Sequence, residues 1–584
     1  MDAAACGCGI VGPPPCRGRP FPTPFPLHAL YWNEMTNDIQ DGIRAFFKGE
    51  IKDDADTLAK FSRDASLFEV RPTLVLSPKD TDDLKQLVRF VSKEKSSHPE
   101  LSLTGRSAGT DMGGGPLTES VVLDFISHFN HFSIDEAALT ATVEPGVYYH
   151  DFEKETGPKH ISYPSYPASK AIAAFGGIVM NNAGGEKALR YGQTRDYVLE
   201  VKMILSDGNE YVFRKLSRAE LEAKMKQQDF EGELYRKMYK LVTENHDEIE
   251  KARPHTSKNS AGYALWRIWD KQADTFDLAQ LFVGSQGTLG LFAEAKLQLV
   301  KDTPHRKLVA LFMRSWDDLP AVVNAVLPLK PESMETFDDN TLKLGLRFMP
   351  EIAKKAHENL LRFAARFLPE AWIGVEMLGL PKLIVLAEFA EDTKEELDSK
   401  CIAAVQALKK FPAYARILED GPESEKYWIM RRESFNLLRQ HVAGKQTAPF
   451  IDDFAVLPEK MPEFLPKLLK VLKDAGIAAN IAGHAGDGNY HIIPLMDLTK
   501  ESERAKIVPA AEKIYSLIGE YGGTITAEHN DGIIRTPFLP KMFSPRTLEL
   551  FAEAKSILDP QGIFNPGKKI GGTLEYLQAH IKAK

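Results

Sequence analysis

The chain has 584 residues, 43% of them apolar and 26% charged, which is the composition of a globular protein with two or three large domains. Its formal net charge of −8 excludes a dedicated nucleic-acid binder, because such proteins carry a basic excess. No run approaches about 18 consecutive apolar residues, which excludes a membrane-spanning segment but leaves peripheral attachment to a membrane open.

Residues 1–30 form a leader rich in proline and glycine, which we expect to be disordered. It matches neither a secretory signal nor a transit peptide. Three of the four cysteines lie in this leader, and Cys401 stands alone in the rest of the chain. This distribution excludes a disulfide framework and a cysteine-ligated iron–sulfur cluster in the folded part, and it indicates a reducing, cytoplasmic setting. Metal binding by Cys6 and Cys8 is a minor alternative.

Alternating strand and helix patterns after the leader predict an α+β protein. Residues 31–302 are assigned to a first domain, which opens with a strand over residues 71–77 and a helix over 81–95 with Thr81 as its N-cap. A hairpin is predicted over residues 198–214. Further short strands are predicted over 101–104, 121–125, 140–143 and 290–300.

Residues 303–520 are assigned to a second domain, which we expect to be an α+β (ferredoxin-like) substrate or cap domain. Two β-α units support this assignment. They comprise strand 307–314, helix 316–327, strand 382–389 and helix 393–411. Residues 521–584 are assigned to a C-terminal helical segment that returns to the first domain.

The densest signal in the first domain is the glycine loop of residues 103–116 (LTGRSAGTDMGGGP), which begins with an apolar strand. Glycines at this spacing let backbone N–H groups turn inward and form an anion-binding nest. The loop is neither a GxGxxG fingerprint nor a GxxxxGK[ST] phosphate loop, which disfavours a Rossmann nucleotide site. For this run alone, a plain surface loop is an equal alternative.

Two further glycine clusters change that balance. They are FGGIVMNNAGG at residues 175–185, followed by RYG at 190–192, and VGSQGTLG at 283–290. Three such clusters beside strands of one domain predict a large, flat, polyanionic ligand threaded between backbone segments.

A histidine pair marks the C-terminal third, in the stretch AGHAGDGNYHIIP at residues 482–494. The turn at Asp487, Gly488 and Asn489 can fold two short strands back and bring His484 and His491 together. Converging neutral imidazoles are a plausible site for a divalent metal. The alternative is that both histidines are hydrogen-bonded structural residues.

A carboxylate and a third histidine follow in GGTITAEHNDG at residues 522–532. Glu528 is a candidate metal ligand and His529 a candidate base. Neighbouring residues of a strand point to opposite faces. The side chains of Glu528 and His529 can therefore face the same site only if the chain leaves the strand there. The turn residues Asn530, Asp531 and Gly532 favour such a departure.

The three glycine clusters resemble the FAD-binding domain of the vanillyl-alcohol oxidase/p-cresol methylhydroxylase flavoprotein superfamily, and the resemblance runs from about residue 60 to the C-terminus. It implies a two-subdomain FAD-binding domain whose first loop wraps the FAD pyrophosphate. Thr110 stands where covalently flavinylated members often carry histidine, which implies a non-covalent flavin. The residues implied to bind FAD are Arg106, Ser107, Ala108, Gly109, Thr110, Gly176, Gly177, Asn181, Gly184, Gly185, Tyr191, Gly284, Ser285, Gly287, Thr288 and, in a closing segment near the flavin, Asn565.

The motifs GHAGDGNYH and TAEHND resemble those of the D-2-hydroxyacid dehydrogenase branch, which includes D-lactate and D-2-hydroxyglutarate dehydrogenases and the flavin subunit of glycolate oxidase. The resemblance implies that His484, His491 and Glu528 ligate a divalent metal, commonly zinc, and that His529 is the catalytic base. In YWIMRRE (residues 427–433) it implies that Arg431 pairs with the substrate carboxylate. The adjacent arginine at 432 is an alternative, and a plain surface arginine is another.

Two departures from the branch matter. The pair Asn530 and Asp531 resembles the motif of large members that are fused to an iron–sulfur module. No cysteine follows Cys401 in this sequence, so the ligands of such a module are missing from it. Residues 448–454 (APFIDDF) stand where some relatives carry a substrate-binding lysine, which leaves the distal part of the substrate unassigned.

The resemblance therefore implies FAD-dependent oxidation of a D-2-hydroxy acid to the 2-oxo acid, with a divalent metal and His529 as base. The electrons are expected to pass to a quinone, a cytochrome, an electron-transfer flavoprotein or a separate iron–sulfur protein, in the cytoplasm or peripheral to the inner membrane. The alternatives are a non-redox flavoenzyme like alkyldihydroxyacetone-phosphate synthase, an inactive electron-transfer or scaffold flavoprotein, and a 2-His-1-carboxylate iron oxygenase.

Overall fold

The computed structural model describes residues 38–355, 359–377, 379–441 and 444–583. The chain divides into two compact units, residues 1–45 and 46–584. Only residues 38–45 of the first unit are described, and 38–44 are helical. The leader predicted over residues 1–30, with its cysteines, lies outside the described residues. No helix in the described ranges has the length and apolar character that crossing a membrane requires.

The first half of the larger unit contains a four-stranded sheet, a seven-stranded sheet and a two-stranded ribbon. The strands are β1 (Glu50–Lys52), β2 (Leu74–Ser77), β3 (Leu103–Arg106), β4 (Val121–Asp124), β5 (Phe132–Asp135), β6 (Thr140–Val143), β7 (Ile161–Ser162), β8 (Val198–Ile204), β9 (Glu210–Ser217), β10 (Trp269–Asp270), β11 (Thr275–Asp277), β12 (Leu291–Gln298) and β13 (Val300–Lys301). The helices are α1 (Ala55–Phe61), α2 (Thr81–Glu94), α3 (Tyr149–Thr156), α4 (Phe175–Asn181), α5 (Ala188–Tyr191), α6 (Arg218–Lys226), α7 (Phe230–Glu244), α8 (His246–Lys251) and α9 (Ala279–Phe282).

The four-stranded sheet has the order β1-β2-β4-β3, and its β2, β4 and β3 run parallel. β2 and β4 are buried along their whole length, as their continuous apolar runs require in a sheet covered on both faces. Strand β3 forms residues 103–106 of the glycine loop, and the glycine-rich remainder follows the carboxyl end of that strand. The seven-stranded sheet, ordered β10-β11-β9-β8-β12-β6-β5, contains the antiparallel hairpin β8–β9. The hairpin predicted over residues 198–214 is therefore confirmed.

Helix α2 shows how a side chain sets an element boundary. The carboxylate of Asp80 accepts the N–H of Asp83 at 3.0 Å, so Asp80 caps the helix. The prediction of Thr81 as the cap is wrong by one residue, because Thr81 is already helical and the acidic residue before it satisfies the free N–H group.

The second half of the larger unit is built on an eight-stranded antiparallel sheet with the order β17-β14-β16-β15-β20-β21-β18, and β19 also pairs with β21. The strands are β14 (His305–Met313), β15 (Ser333–Asp338), β16 (Leu383–Glu391), β17 (Ala413–Glu419), β18 (Gln446–Thr447), β19 (Phe454–Ala455), β20 (Ala479–His484) and β21 (Asn489–Met496). The helices are α10 (Leu319–Val326), α11 (Asp339–Arg347), α12 (Met349–Lys355), α13 (Leu360–Ala365), α14 (Leu368–Glu376), α15 (Lys394–Leu408), α16 (Pro422–His441), α17 (Met461–Asp474), α18 (Glu501–Arg504), α19 (Ile507–Glu520), α20 (Gly532–Arg535), α21 (Pro545–Leu558) and α22 (Leu574–Ala579).

Strand β14 shows how this sheet is covered on both faces. Val309 and Leu311 belong to the main core, which also includes α10 and α15. The alternate residues Leu308 and Phe312 point to a second core with residues of α14 and α16. The larger unit is thus a mixed α+β fold, as predicted, whereas the domain boundaries at residues 302 and 520 stay predictions.

Candidate active site

A cavity of about 720 Å³ joins the two halves of the larger unit. One part of its wall is formed by the glycine loop, helix α4 and five residues between 286 and 292. The other part carries candidate functional side chains of the second half. They are Arg431, Arg432, His484, His491, Glu528 and His529. The volume lies within the range of about 300–1,000 Å³ that cofactor and ligand sites occupy.

Three candidate metal ligands meet on this wall. His484 and His491 come from the two strands of the hairpin β20–β21, and Glu528 comes from a loop. The Oε1 atom of Glu528 lies 2.8 Å from His484 Nε2 and 3.3 Å from His491 Nε2. One ligand atom from each residue lies within 4.8 Å of the others, and all three side chains are buried. Two imidazoles and one carboxylate are a donor set that divalent metals such as zinc accept.

The Nδ1 atom of each of these two histidines has a partner that holds the ring in place. The register of the sheet sets Glu335 of β15 opposite His484, and its Oε1 lies 2.5 Å from His484 Nδ1. His491 Nδ1 lies 2.8 Å from the backbone oxygen of Asp452. Such partners fix ring orientation and leave Nε2 of each ring directed at the shared carboxylate.

For two of the three residues, the surroundings favour the protonation state that binds a metal, namely the charged carboxylate of Glu528 and the neutral imidazole of His491. Burial raises the pKa of Glu528, but the charges of Lys258 and His484 outweigh burial and hold that pKa well below its usual value. Burial also lowers the pKa of His491, which favours the neutral ring. For His484, burial lowers the pKa but Glu335 raises it above its usual value.

Asp453 shapes the loop that carries Glu528 and His529. Its Oδ2 accepts the backbone N–H groups of Ala527, Glu528 and His529 at 2.8 to 2.9 Å and the hydroxyl of Thr526 at 2.8 Å. Residues 525–531 are therefore a loop wound around one carboxylate and not a strand. This explains how neighbouring residues reach the same cavity, as the turn at residues 530–532 predicted.

The same hydrogen bonds argue against Asp453 as a metal ligand. Asp453 also groups with His491 and His529 within ligand distance. Its Oδ2 is occupied by the four donors of the loop, however, and its Oδ1 accepts Asn489 Nδ2 at 2.9 Å. We therefore assign Asp453 a structural role.

The candidate base is oriented by Asp452. Its Oδ2 lies 2.8 Å from His529 Nδ1, and its Oδ1 forms an ion pair with the buried Arg535. Burial lowers the pKa of His529, but Asp452 and Asp453 outweigh burial and raise it to about 9. The rings of His529 and His491 stack with their centroids 5.0 Å apart, so the candidate base adjoins the candidate metal ligands.

Lys258 is a buried cation beside the same ligands. Its Nζ lies 3.8 Å from Glu528 Oε1 and 3.5 Å from Asp487 Oδ2. It also donates to Gly185 O and Asn489 Oδ1, both at 3.3 Å. Lys258 therefore links the first half of the unit to the hairpin β20–β21.

The two neighbouring arginines of α16 have different partners. The side chain of Arg431 is 4% exposed, and its Nε lies 2.5 Å from Glu335 Oε2. Glu335 thus contacts both Arg431 and His484. Arg432 is 34% exposed and forms an ion pair with the buried Glu186. Both arginines line the cavity.

Most of the predicted FAD-binding residues lie on the cavity wall. Those that line it are Arg106, Ser107, Ala108, Gly109, Thr110, Gly176, Gly177, Asn181, Gly184 and Gly287. The others, which are not among the lining residues, are Gly185, Tyr191, Gly284, Ser285, Thr288 and Asn565.

Two of these residues make contacts with other parts of the protein. The hydroxyl of Tyr191 donates to Glu332 Oε1 at 3.2 Å, next to the eight-stranded sheet. Asn565 donates to Gly115 O at 3.0 Å and to Gln286 O at 2.7 Å. Asn565 therefore ties the glycine loop to residue 286, and both of these partners line the cavity.

The backbone of helix α4 suits a flat ligand. A methyl group on Gly176 would come within 2.1 Å of Ser107 Oγ, so only glycine lets the glycine loop pack against this helix. A methyl group on Gly177 would meet no atom within 4 Å, although Gly177 lines the cavity. The helix therefore presents bare backbone to open space, which fits a dinucleotide cofactor such as FAD.

Within the glycine loop, the side chains brace the backbone. Arg106 donates to the carbonyl oxygens of Phe61 at 3.1 Å and Arg63 at 2.7 Å. Asp111 Oδ2 accepts the N–H of Gly115 at 2.6 Å, and its Oδ1 accepts Asn181 Nδ2 at 2.9 Å. The guanidinium of Arg106 thus stabilises the edge of the cavity through backbone carbonyls.

Several residues that build this site were not predicted from the sequence. They are Lys258, Glu335, Asp452, Asp453 and Arg535. Asp452 and Asp453 leave one usable signal, since two acids inside the apolar stretch PFIDDFAV indicate carboxylates that are buried with partners.

Comparison with known proteins identifies two family domains. Residues 72–213 match a model described as "FAD binding domain", and residues 303–569 match "FAD linked oxidases, C-terminal domain". A D-2-hydroxyglutarate dehydrogenase of Pseudomonas putida is 27% identical over 527 residues, covering 89% of this chain and 50% of that protein. Glycolate oxidase subunit GlcD of Bacillus subtilis is 26% identical, covering 91% of this chain and 97% of the relative. The chain spans about half the length of the D-2-hydroxyglutarate dehydrogenases that it matches at 25–27% identity.

Solved structures share the fold. A 4-ethylphenol oxidase from Gulosibacter chungangensis superposes with a TM-score of 0.65 at 18% identity, covering 94% of this chain and 99% of that one. A p-cresol methylhydroxylase superposes with a TM-score of 0.62 at 16% identity, with coverages of 93% and 98%. The chain therefore contains an FAD-binding domain and the C-terminal domain of the FAD-linked oxidases, in a fold that it shares with p-cresol methylhydroxylase.

Proposed function

We propose that the chain oxidises a D-2-hydroxy acid to the 2-oxo acid with non-covalently bound FAD as the immediate electron acceptor. One observation carries the proposal: two imidazoles, a carboxylate and a third histidine meet on the wall of the cavity that the glycine loop also lines. The similarity to proteins named D-2-hydroxyglutarate dehydrogenase and glycolate oxidase subunit supports the substrate class. FAD, when bound, supplies the hydride acceptor.

His484, His491 and Glu528 are the proposed ligands of a divalent metal, with zinc as the first candidate. The chemistry of the donor set supports this assignment, because two oriented imidazoles and a carboxylate surround one point. A divalent cation there would supply Lewis acidity toward the substrate hydroxyl and a positive charge that lowers the pKa of His529.

Arg431 is the proposed partner of the substrate carboxylate. Its guanidinium is buried on the cavity wall, and the contact between its Nε and Glu335 fixes its direction. A guanidinium held in this way can present two parallel N–H groups to a carboxylate, which orients the 2-hydroxyl group of the acid.

His529 is the proposed base for the hydroxyl proton. Because Asp452 engages Nδ1, Nε2 is the nitrogen that can receive the proton. The ion pair of Asp452 with Arg535 holds the carboxylate in turn, so His529 keeps one orientation. His529 would take the hydroxyl proton of the substrate, and FAD, when bound, would accept the hydride of C2, so that the two-electron oxidation balances.

We further propose that the electrons pass on to an acceptor other than a nicotinamide. A quinone, a cytochrome, an electron-transfer flavoprotein and a separate iron–sulfur protein are the candidate classes. A cytoplasmic location with peripheral attachment to the inner membrane belongs to the same proposal.

Anaerobic titration of the FAD-loaded protein tests the reaction. We expect D-2-hydroxyglutarate or D-lactate to bleach the flavin absorbance, whereas L-lactate should leave it unchanged. His529→Asn should keep the flavin but slow its reduction by about 100-fold or more, the usual worth of a general base. Glu528→Gln should lower the metal content measured by elemental analysis.

His131→Asn is the matched control, since the side chain of His131 is 82% exposed and should leave the rate of reduction unchanged. The proposal fails if no 2-hydroxy acid, glycolate included, reduces the flavin. The assignment of His529 fails if His529→Asn reduces as fast as the control.

A further inference from the structure

One buried carboxylate is shared by two side chains of the candidate active site. Glu335 lies on β15, a strand that pairs with β16 along one edge and with β20 along the other. Its side chain is 0% exposed, and its Oε1 lies 2.5 Å from Nδ1 of His484. Its Oε2 lies 2.5 Å from Nε of Arg431. The two oxygens therefore serve a candidate metal ligand and the proposed partner of the substrate carboxylate.

The sheet gives this carboxylate a fixed position. Strand β15 is hydrogen-bonded along both edges, and its register sets Glu335 directly opposite His484. The strand also packs closely under the turn of the hairpin β20–β21, where a methyl group on Gly486 would lie 3.0 Å from Cβ of Met334. A strand packed in this way leaves its side chains little freedom, so the sheet and not the two partners sets the place of Glu335.

Both partners approach Glu335 with N–H groups. A guanidinium has no acceptor atom. His484 directs Nε2 at Glu528, and when Nε2 is a metal ligand the proton of the neutral ring is on Nδ1, which faces Glu335. Two donors need two acceptor oxygens, which a carboxylate offers. A glutamine of the same shape would keep one oxygen and turn an NH₂ group toward the other donor.

This arrangement links the two partners energetically. Hydrogen bonds in a chain strengthen one another, so a cation at Nε2 of His484 would strengthen the contact of Nδ1 with Glu335. A carboxylate that is held more firmly leaves fewer directions to the guanidinium of Arg431. A guanidinium with a fixed direction loses less freedom when it binds an anion, which raises its affinity.

We propose that Glu335 is a positioning residue that couples the affinity of the site for its metal to its affinity for the substrate carboxylate. The proposal rests on the function proposed above, since it takes His484 as a metal ligand and Arg431 as the carboxylate partner. It adds that one side chain sets both affinities, although Glu335 is not among the residues that line the cavity. Because linked binding is reciprocal, bound metal should raise the affinity for substrate, and bound substrate the affinity for metal.

Glu335→Gln in the full-length, FAD-loaded protein tests the coupling by two measurements. Competition with a chromophoric chelator gives the zinc affinity of the substrate-free protein. We expect this affinity to fall by about 10- to 100-fold, the usual effect of losing the partner of a ligating histidine.

Stopped-flow reduction of the flavin at saturating zinc is the second measurement, because the excess zinc refills the metal site. We expect the concentration of 2-hydroxy acid that gives half the maximal rate to stay about tenfold higher than in the wild type, which corresponds to about 1.4 kcal/mol. The maximal rate should fall less, since His529 keeps its contact with Asp452.

Glu332→Gln is the matched control. Glu332 is also 0% exposed and directly precedes β15, but in the described structure it pairs with Lys187 at 3.7 Å and with Arg306, and not with the candidate metal ligands or Arg431. This variant should leave both measurements unchanged. Glu335→Asp is a second test variant, which keeps the buried charge but withdraws both oxygens by one methylene. It should show smaller losses of the same two affinities.

The flavin content shows which variants are folded. The coupling is overturned if a flavin-binding variant of Glu335 loses only one of the two affinities, or neither. The proposed function still stands in that case, provided that the wild type binds zinc and is reduced by a 2-hydroxy acid. A wild type without zinc affinity overturns the metal assignment and the coupling together. If neither variant binds flavin, Glu335 is required for folding and is not a positioning residue.

Discussion

Gly177 is the residue at which backbone and cavity meet without a side chain. A Cβ there would touch no atom of the described structure. An added methyl group should therefore weaken ligand binding without lowering the stability of the fold. We predict that Gly177→Ala binds FAD at least about tenfold more weakly, a loss of about 1.4 kcal/mol. The apoprotein should be as stable as the wild type or slightly more so, because alanine favours a helix over glycine. Flavin fluorescence titration and thermal unfolding measure the two effects.

Gly157→Ala is the control for this variant, since its Cβ also meets nothing within 4 Å but Gly157 is not among the cavity residues. Equal FAD affinity of both variants would contradict the placement of the cofactor against helix α4.

The residue scale also shows what the sequence can and cannot reveal about the site. The turn between His484 and His491 lies within six consecutive residues, so a local pattern is enough to predict that the two imidazoles meet. Asp453 accepts hydrogen bonds from residues 526–529, more than seventy positions along the chain. Contacts over this separation produce no periodic pattern in the sequence from which they could be predicted. Glu335 reaches His484 only through the register of β15 and β20. Local chemistry was predictable, and partners brought by the fold were not.

The ion pair between Glu186 and Arg432 joins helix α16 to the segment before α5, and its effect should depend on pH. Burial raises the pKa of Glu186, but Arg432 outweighs burial and lowers it to about 2. Because the folded pKa lies below the unfolded value of about 4.5, the pair stabilises the protein above that pH and loses its effect as the pH falls toward 2. Glu186→Gln should therefore cost about 3 kcal/mol near neutral pH and progressively less in acid. Urea unfolding at a series of pH values measures the difference.

Glu220→Gln provides the comparison for this pair. The pKa of Glu220 is also lowered to about 2, by Arg214 and Ser217, but the residue is at the surface. Because solvent screens this surface pair, Glu220→Gln should change the free energy of unfolding little at any pH. A pH-independent cost for Glu186→Gln would contradict the account of the buried pair.

At the scale of elements, the predictions succeed for the outer β-α units of the eight-stranded sheet and fail for the segment between them. Strand β14 and helix α15 lie within the predicted ranges 307–314 and 393–411 or within two residues of them. No element is predicted between residues 328 and 381, yet β15 and α11–α14 fill most of that stretch. Helix α14 shows one reason, because its apolar residues face both the core and the surface and so lack the single stripe from which an amphipathic helix is recognised.

The whole molecule should respond to its cofactor as a unit. The cavity is bounded by the glycine loop of the first half and by α16 and β20–β21 of the second, so FAD would contact segments of both halves. We predict that free FAD raises the midpoint of thermal unfolding, with a stabilisation of about 2.7 kcal/mol at a concentration 100 times the dissociation constant. Differential scanning fluorimetry over a series of FAD concentrations measures the shift.

Riboflavin should give a much smaller shift in the same experiment, because it lacks the pyrophosphate that the glycine loop is predicted to wrap. Equal shifts with FAD and riboflavin would contradict that prediction.

The contacts between β3 and residues 563–565 have a consequence for how the protein is made. Thr104 donates to the side chain of Asn565, and Leu103 donates its N–H to Ile563, across more than 450 positions of the chain. A nascent polypeptide cannot form these contacts until residue 565 has left the ribosome. The strand that leads into the glycine loop therefore gains these partners late, after the whole eight-stranded sheet has been synthesised.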